Sequence, residues 1–326
     1  MSSAPDVDYS ATSLRPDWNS LAPELHEALA VALGTRIADV SRPVSSGFTG
    51  GFAARAQLAD GRWVFIKAAP EGEHAYEAYQ REAEVVPQLP GTVRAPAIVA
   101  TAAVDGWFAV ASEWVDGRMP GSPWTAQDFE RVTAACEGMA DALQPSPLDG
   151  LSPFAELFED DLRIPSEIMA GERPMPPGLQ PWVPRILPEL AELVALAPEA
   201  LAGDTALHSD LRPDNIVIDG QGTCWTVDWN WLTLGARWVD WVCLLPVAQH
   251  QGIDTFTAIT HNPLTADIPK EHLDCLAGLI AAYMMKNTEA PPPPGCTPAL
   301  RAHQRLYAWT FLDWLAVRRN WPTVEV

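Results

Sequence analysis

The sequence predicts an α+β protein built from two lobes, a sheet-rich first lobe and a mainly helical second lobe. Up to residue 115, strand-like runs meet at Asp60-Gly61 and Asp105-Gly106, dipeptides that favour two-residue hairpin turns, and one helical segment interrupts them. After residue 116 the apolar residues recur with the helical period, apart from two short strands. These observations indicate a mostly antiparallel sheet with one inserted helix, followed by a helical lobe that carries a small hairpin.

The elements of the first lobe follow from local signals. We expect residues 1–19 to be a flexible segment and Ser20 to cap a first helix that stops at Gly34. A second helix over residues 73–86 ends at Pro87, which cannot continue the hydrogen-bond ladder. The predicted strands, in chain order, span residues 52–58, 62–68, 97–104 and 107–114.

The second lobe is predicted from its helical periodicity. We assign residues 20–115 to the first lobe and residues 116–326 to the second. The predicted helices span residues 126–143, 153–169, 184–196, 238–249, 271–286 and 298–320, and the two short strands span residues 215–219 and 224–227.

The composition excludes several classes of protein. Apolar residues make up 48% of the 326 residues and charged residues 19%, and no apolar run is long enough for a transmembrane helix. The first 20 residues lack the basic and apolar segments of a secretory signal, and the five scattered cysteines form neither a disulfide framework nor a zinc site. We therefore expect a soluble, cytoplasmic protein.

The excess of acidic over basic residues indicates which kinds of partner the protein can bind. With 21 basic and 42 acidic residues the net charge is −21, which repels nucleic acid and anionic membranes and attracts cations. A small substrate is therefore expected to be cationic. The alternative, that the acidity only keeps the protein soluble, stays open because net charge does not determine chemistry. The sequence leaves the oligomeric state open.

One segment of the second lobe carries the spacing His-x-Asp-x(4)-Asn, in His208, Asp210 and Asn215, followed at once by an apolar strand. At this composition the spacing is expected by chance about 0.01 times in a chain of this length. It is the spacing of kinase catalytic loops, in which the Asp orients the acceptor hydroxyl and the Asn binds magnesium. Asp228, after the next strand, is the second carboxylate that such a metal site needs. The alternative is a surface loop after a helix.

Two charged residues of the first lobe are expected to form an ion pair. Lys67 lies in an apolar strand, and Glu82 shares the inward face of the second helix with Ala75 and Tyr79. A buried carboxylate needs a cation, and Lys67 is the available one. The alternative is that Glu82 reaches solvent.

A glycine-rich segment, residues 45–51, precedes the first predicted strand. Gly47 and Gly50 let the backbone approach a triphosphate, and Ser46 and Thr49 are candidate hydrogen-bond donors to it. The segment matches neither the Walker motif nor G-x-G-x-x-G, and an ordinary glycine-rich hairpin is the alternative.

Together these residues resemble the aminoglycoside phosphotransferase family, the small-molecule branch of the protein-kinase-like fold. The resemblance covers residues 40–250 and includes the hinge-like segment 111–117 and the segment 235–241, whose Asp240 would steady the catalytic loop. It implies a bilobal protein-kinase-like fold. The chain has no D-F-G sequence, and no A-P-E sequence follows Asp228 as the protein-kinase signature would, which argues against a protein substrate.

The resemblance also implies a role for each matching residue, with ATP and Mg²⁺ as the cofactors. The implied set consists of a catalytic base, Asp210; two Mg²⁺ ligands, Asn215 and Asp228; a phosphate-binding pair, Lys67 and Glu82; and backbone groups that receive adenine, at Glu113 and Val115.

The acceptor site is expected in the second lobe. Trp229 and Asn230 replace a more usual small or acidic pair, and Arg212 stands where the family often has His or Lys, so the acceptor stays open. On the last helix Trp309 and Asp313 are four positions apart and could offer an aromatic wall and an acid to an amino sugar. The alternative is that these aromatic residues belong to the core.

The resemblance therefore implies an enzyme that moves the γ-phosphoryl group of ATP to a hydroxyl of a small, cationic acceptor, such as an aminoglycoside or another antibiotic. One alternative is a metabolic sugar or amino-alcohol kinase, which a substrate screen would separate. Another is a nucleotide-binding pseudoenzyme that acts as a partner module, and the intact set of charged residues argues against it.

Overall fold

A five-stranded sheet is the framework of the first lobe in the computed structural model, which describes residues 4, 6–286, 288 and 290–323. The strands are β1 (Ile37–Val40), β2 (Phe52–Leu58), β3 (Trp63–Pro70), β4 (Ile98–Val104) and β5 (Trp107–Glu113). They lie in the order β1-β2-β3-β5-β4, and all neighbours are antiparallel. The predicted antiparallel sheet is confirmed, with β1 as an additional edge strand.

Both predicted hairpin turns join the expected strands. At Asp105-Gly106 both residues have positive φ, 48° and 75°, as a type I′ turn requires. β2 and β3 meet across Asp60-Gly61, where Gly61 has a φ of 90°. The two hairpins then pair through β3 and β5, which puts β3 in the middle of the sheet.

One helix packs on each side of this sheet. α1 (Pro23–Leu33) buries its leucines among the apolar residues of the sheet, and α2 (His74–Val85) packs on β3 and β5. α1 begins three residues after the predicted cap Ser20, because Pro23 fits the first helical turn, where its missing N–H group is not needed. α2 ends before Pro87, as predicted.

The second lobe packs its helices around a central one. Its helices are α3 (Ala126–Ala142), α4 (Ile164–Met169), α5 (Val183–Val194), α6 (Ala197–Ala200), α7 (Val239–His250), α8 (Thr255–His261), α9 (Lys270–Met285) and α10 (Ala299–Arg319). Its strands are β6 (Gly117–Arg118), β7 (Thr205–Leu207), β8 (Ile216–Asp219), β9 (Cys224–Thr226) and β10 (Thr233–Gly235). α9 contacts α5, α7 and α10, and 11 of its 16 residues are buried.

Two small sheets of this lobe frame the segment with the His-x-Asp spacing. β7 pairs with β10, and β8 pairs with both β6 and β9. The chain therefore leaves β7, passes through residues 208–215 and enters β8 at fixed positions. β5 belongs to the first sheet and β6 pairs within the second lobe, so the chain changes lobe between Glu113 and Gly117.

The helix predicted over residues 153–169 is wrong for most of its length. The structure has 3₁₀ turns at Phe154–Phe158 and Asp161–Arg163, and α-helix only over α4. Pro165 explains the late start, because a proline is tolerated in the first turn of a helix and not in its interior. The other predicted helices of the second lobe are present to within two residues at each end, while the short α6 and α8 were not predicted.

The N-terminal segment contacts both lobes. Thr12 is buried, and its N–H group donates to Ser45 O at 2.9 Å. The N–H group of Thr297, just before α10, donates to Thr12 O at 3.0 Å. We expected residues 1–19 to be flexible; the described part of this segment, residues 4 and 6–19, is held at these positions. Of the helices in the described ranges, none has both the length and the apolar character needed to cross a bilayer.

The central helix carries a buried carboxylate whose removal should destabilise the lobe. Asp274 on α9 is fully buried and pairs with Arg318 and Arg319 of α10. We expect Asp274→Asn to lower the free energy of unfolding by about 3 kcal/mol, because Arg318 loses its counter-charge while Arg319 keeps its pair with Glu189. Urea denaturation measures the change. Asp160→Asn is the control: its pair with Arg163 is 80% and 67% exposed, so no measurable change is expected. Equal effects of the two substitutions would contradict the prediction.

Candidate active site

The cleft between the lobes collects most of the residues singled out in the sequence. The sequence-predicted residues that line it are Ser46, Gly47, Thr49, Lys67, Glu82, Glu113, Val115, Asn215, Asp228 and Trp229. Asp210 lies beside this set through its contact with Asn215.

The predicted ion pair between Lys67 and Glu82 is present and has a third member. Lys67 Nζ donates to Glu82 Oε1 and Oε2 at 2.9 and 2.7 Å, and it also pairs with Asp228 Oδ1. Lys67 and Glu82 are buried, whereas the Asp228 side chain is 34% exposed. Burial acts to lower the pKa of Lys67, but Asp228 and Glu82 outweigh it and hold that pKa above its usual range. The ammonium group therefore stays charged and joins the two lobes.

Asp240, at the start of α7, positions the segment between β7 and β8. Its Oδ2 accepts from the backbone N–H of His208 at 2.8 Å, and its Oδ1 accepts from that of Ser209 at 3.0 Å. Ser209 has a φ of 67°, so this left-handed turn is held by two hydrogen bonds to one carboxylate. His208 is fully buried, and its Nε2 donates to Val227 O at 2.8 Å. The loop is thereby tied to the strand that carries Asp228.

Asp210 presents a partly exposed carboxylate whose orientation is set by two neighbours. Arg212 Nη1 donates to Asp210 Oδ1 at 2.5 Å, and Asn215 Nδ2 donates to Asp210 O at 2.8 Å and to Oδ2 at 3.3 Å. Burial raises the pKa of Asp210 and the Asp214 carboxylate adds to this, while the Arg212 guanidinium opposes it. A carboxylate with a raised pKa and 31% of its side chain exposed can accept a proton from a bound hydroxyl group.

Asn215 and Asp228 together offer oxygen ligands for a metal ion. The amide nitrogen of Asn215 is bound to Asp210, which leaves its Oδ1 as an acceptor, and Asp228 uses Oδ1 for Lys67, which leaves Oδ2. The described residues contain no group of three or more His, Cys, Asp or Glu side chains that could hold a metal ion alone. Mg²⁺ usually binds one or two carboxylates and the phosphates of a ligand, so this donor set suits Mg²⁺ with a nucleotide.

The glycine-rich segment connects β1 to β2 and forms part of the cleft wall. Gly51 has a φ of 81°, and a Cβ there would lie 2.9 Å from Ala68 O, so glycine is required. Tyr79 Oη donates to Gly50 O at 2.9 Å, which ties the segment to α2. Ser46 and Thr49 face the cleft, while Gly50 lies beside it.

Arg15 is a cleft residue that the sequence analysis missed. It lines the cleft from the N-terminal segment, and its guanidinium group donates to carbonyl groups of the glycine-rich segment. No motif or periodicity links it to residues more than 30 positions away, so only the folded chain could reveal it.

Both hinge residues with predicted backbone contacts line the cleft, Glu113 and Val115. The N–H group of Glu113 donates to Ala97 O at 2.9 Å within the first lobe, so this N–H group does not serve a ligand. The N–H group of Val115 has no hydrogen-bond partner in the part of the chain that the structure describes. The N–H group of Val115 is thus available to a heterocycle.

Trp229 and Asn230 have their side chains largely in the interior. Trp229 is fully buried, its Nε1 donates to Thr226 O at 3.0 Å, and its ring lies 4.7 Å from that of His208. Asn230 is buried, and its Oδ1 has no partner among the described residues. Trp229 thus packs against His208 of the loop and also lines the cleft, and its predicted contact with an acceptor stays a prediction.

Trp309 and Asp313 are not brought to the cleft. Trp309 O and Asp313 Oδ1 both accept hydrogen bonds from Gln180 Nε2, at 3.0 and 2.6 Å. A different side of α10 meets the glycine-rich segment: His303 packs on Phe48, with ring centroids 4.5 Å apart. The predicted helix is present, but the sequence does not fix which of its faces meets the site.

The comparisons with known proteins agree with this arrangement. The model of the phosphotransferase enzyme family matches residues 42–264. A search of the curated proteins finds no match. Solved structures share the fold. An aminoglycoside phosphotransferase from Alicyclobacillus acidocaldarius subsp. acidocaldarius DSM 446 has a TM-score of 0.58 at 15% identity, with 93% of this chain and 98% of that chain covered.

Two further solved structures give the same result. A thermostable mutant of an aminoglycoside phosphotransferase, in a ternary complex with ADP and hygromycin B, has a TM-score of 0.60 at 13% identity, with 90% and 98% coverage of this chain and that one. A putative fructosamine-3-kinase from Thermobifida fusca YX-ER1 has a TM-score of 0.52 at 18% identity, with 90% and 99% coverage. The protein-kinase-like fold expected from the sequence is thereby confirmed.

The three-membered ion cluster predicts unequal losses of stability. Glu82→Gln leaves Lys67 paired with Asp228, whereas Lys67→Met leaves two carboxylates without a cation and should cost about 3 kcal/mol of unfolding free energy. In the double variant the loss should fall short of the sum by about 1–3 kcal/mol. Urea denaturation of the four proteins measures this coupling. The exposed pair of Arg62 and Asp60 serves as the control cycle and should show no measurable coupling. Additive losses at Lys67 and Glu82 would contradict the prediction.

Proposed function

The chain belongs to the phosphotransferase enzyme family, and on that premise we propose that it transfers the γ-phosphoryl group of ATP to a hydroxyl group of a small acceptor. The observation that carries the proposal is the meeting of Lys67 and Asp228 across the cleft, next to Asn215 and the partly exposed Asp210. Phosphoryl transfer depends on positioning and on charge neutralisation, and these four residues are suited to both.

The cleft offers apolar contacts suited to the adenine of ATP and polar groups suited to its phosphates. Phe65 and Val217 contribute apolar walls for an adenine ring, and the N–H group of Val115 is available to it. Lys67 is suited to bind the phosphate groups, held in place by Glu82. Ser46, Gly47, Thr49 and Gly50 would lie along the same phosphate groups, which follow the glycine-rich segment.

Asn215 and Asp228 would hold Mg²⁺ when the nucleotide is bound. The metal ion would supply positive charge that neutralises the phosphate oxygens. This chain contributes the free Asn215 Oδ1, because the amide nitrogen is bound to Asp210, and the Asp228 Oδ2. Lys67 holds the Asp228 carboxylate in its ionised form, and the pKa of Asp228 lies below its usual range although burial acts to raise it.

Asp210 is the proposed catalytic base. Its Oδ1 is bound by Arg212 at 2.5 Å, while its contact from Oδ2 to Asn215 is longer, at 3.3 Å. Oδ2 is therefore the proposed atom that accepts the proton of the acceptor hydroxyl, as the hydroxyl oxygen bonds to the γ-phosphorus, the bond from that phosphorus to the bridging oxygen breaks, and ADP leaves. Asp240 keeps the loop in place during the reaction through its two backbone hydrogen bonds.

We propose a cationic acceptor first, because the net charge of −21 attracts cations and a related fold binds the aminoglycoside hygromycin B. The second candidate is a sugar or amino-alcohol kinase. The observation that favours it is the pairing of Arg212 with both Asp210 and Asp214, which leaves these carboxylates compensated rather than available to a polycation. The likeness to a putative fructosamine-3-kinase supports the same candidate.

A coupled ADP-release screen tests the proposal. The panel contains aminoglycosides and other cationic antibiotics, neutral sugars, and amino alcohols, each with ATP and Mg²⁺, and mass spectrometry identifies the phosphorylated product. For each active acceptor the KM is measured at two ionic strengths, since screening weakens the attraction of a polycation and leaves a neutral sugar unaffected. Nucleotide binding without turnover of any acceptor would indicate the pseudoenzyme instead.

Removal of the proposed base should slow the chemical step. We expect Asp210→Asn to lower kcat by a factor on the order of 10² or more while leaving the affinity for ATP nearly unchanged. Steady-state rates and nucleotide titration measure the two quantities. Asp149→Asn, an exposed site on the second lobe, is the matched control and should keep full activity. Unchanged turnover in Asp210→Asn would overturn the assignment.

The raised pKa of Asp210 should appear in the pH profile. Activity requires the ionised carboxylate, so kcat/KM should fall as the pH drops through a pKa above the ordinary range of an aspartate. In Arg212→Gln the opposing positive charge is lost, which raises this pKa further and moves the acidic limb to higher pH. Arg212→Lys keeps the charge and should leave the limb in place. If kcat/KM fell at the same pH in the wild type and both variants, Asp210 would not be the group whose ionisation controls the acidic side of the profile.

A further inference from the structure

A guanidinium group from the N-terminal segment reaches the nucleotide cleft. Arg15 Nη1 donates to Gly50 O and Gly51 O at 3.3 and 3.1 Å, and Nη2 donates to Ser46 O at 3.2 Å. These carbonyl groups lie at the two ends of the glycine-rich segment. Arg15 therefore sits where the glycine-rich segment and the cleft meet, on the same cleft wall as Lys67.

Arg15 forms no salt bridge with a carboxylate among the described residues, although its charge acts on Asp228 at longer range. Lys67 pairs with two acids, and Arg118 is bound by both oxygens of Asp128 at 2.7 and 2.8 Å. Of the basic residues that line the cleft in the described part of the chain, Arg15 is the one without an ion-pair partner. A multiply charged anion that enters the cleft is therefore attracted to Arg15 as well as to Lys67.

The guanidinium group also has donors left over. Its Nε is buried and has no hydrogen-bond partner among the described residues, and Nη2 uses one of its two hydrogens for Ser46 O. Nε and Nη2 form one edge of the guanidinium plane, and this edge matches two oxygens of a phosphate group. A buried N–H group without a partner costs free energy that such an oxygen would offset.

The N-terminal segment holds Arg15 in this position. Thr12 Oγ1 donates to Gly47 O at 2.6 Å, and Leu14 N donates to Gly295 O at 2.9 Å. Gly47 has a φ of 84°, and a Cβ there would lie 3.3 Å from Arg15 Nη2. The glycine at this position leaves space for the guanidinium group against the segment.

We propose that Arg15 binds the phosphate groups of the nucleotide, so that the N-terminal segment forms part of the nucleotide site. The ligand class is a nucleoside diphosphate or triphosphate. The inference rests on the proposed function, since it requires that the cleft bind a nucleotide. Arg15 would be a second phosphate-binding cation beside Lys67, and it belongs to the N-terminal segment that precedes α1.

Nucleotide titration of Arg15→Gln tests the proposal. The full chain is titrated by calorimetry with MgATP, MgADP and adenosine, in parallel with the wild type. We expect the Kd for MgATP to rise about 10- to 100-fold, as for the loss of a hydrogen-bonded charge, and the Kd for adenosine to change less than about twofold. Arg42→Gln is the matched control, because Arg42 is exposed on the same lobe and does not line the cleft. It should leave all three Kd values unchanged.

The outcomes separate phosphate binding from a structural role. An equal rise for adenosine and MgATP would show that Arg15 only shapes the cleft and would overturn the proposal, as would an unchanged Kd for MgATP. A wild-type protein that binds no nucleotide would overturn the proposed function as well. If thermal unfolding shows that Arg15→Gln does not fold, Arg15→Lys replaces it. This variant keeps the charge without the two-pronged edge, and a smaller rise for MgATP alone supports the proposal, while any other pattern overturns it.

Discussion

The ion pair between Lys67 and Asp228 is the contact on which the rest of the site depends. It joins residues 161 positions apart, one on β3 of the first lobe and one after β9 of the second. A buried ammonium group requires negative charge nearby. Glu82 supplies it from the same lobe as Lys67, whereas Asp228 supplies it from the second lobe and so holds the two lobes together. The distance between the walls of the cleft follows from this pairing.

A chain of hydrogen bonds transmits that position to the catalytic loop. His208 Nε2 binds the carbonyl group of Val227, the residue before Asp228, and Asp240 binds the backbone of His208. Asp210 comes two residues after His208 in the chain, and hydrogen bonds from Asn215 and Arg212 fix its position. Each polar group of the loop thus orients the next, and the proposed base and the proposed metal ligands share one rigid support. At this loop the acidic side chains Asp210 and Asp214 are both paired with Arg212, so the net charge of −21 of the whole chain is not reflected in the charge of the loop.

The N-terminal segment extends the site beyond the two lobes. It binds the glycine-rich segment through Thr12 and Arg15 and reaches the start of α10 through Thr297. Tyr9 continues this contact, because its hydroxyl lies 2.9 Å from His303 Nδ1 on α10. A segment whose regular structure is limited to short 3₁₀ turns therefore connects the glycine-rich segment of the first lobe to α10 of the second.

The sequence by itself determined the features that depend on short spacings. The hairpin turns at Asp60-Gly61 and Asp105-Gly106, the strand that carries Lys67, the inward face of α2 and the loop from His208 to Asn215 all follow from residues within a few positions of one another. Local backbone preferences and periodicity act over that range, so a pattern of residue types is enough to predict them.

Only the tertiary structure decided the features that depend on distant partners. Trp309 and Asp313 lie on the predicted helix but face Gln180, because the packing of α10 against α9, and not its own periodicity, sets which side meets the glycine-rich segment. Arg15 enters the cleft because the glycine-rich segment offers it carbonyl groups more than 30 positions away. Amphipathic periodicity shows that a helix has a buried face, but it does not show which residues pack against that face. Hydrogen bonds and ion pairs between distant segments form only once the chain has folded.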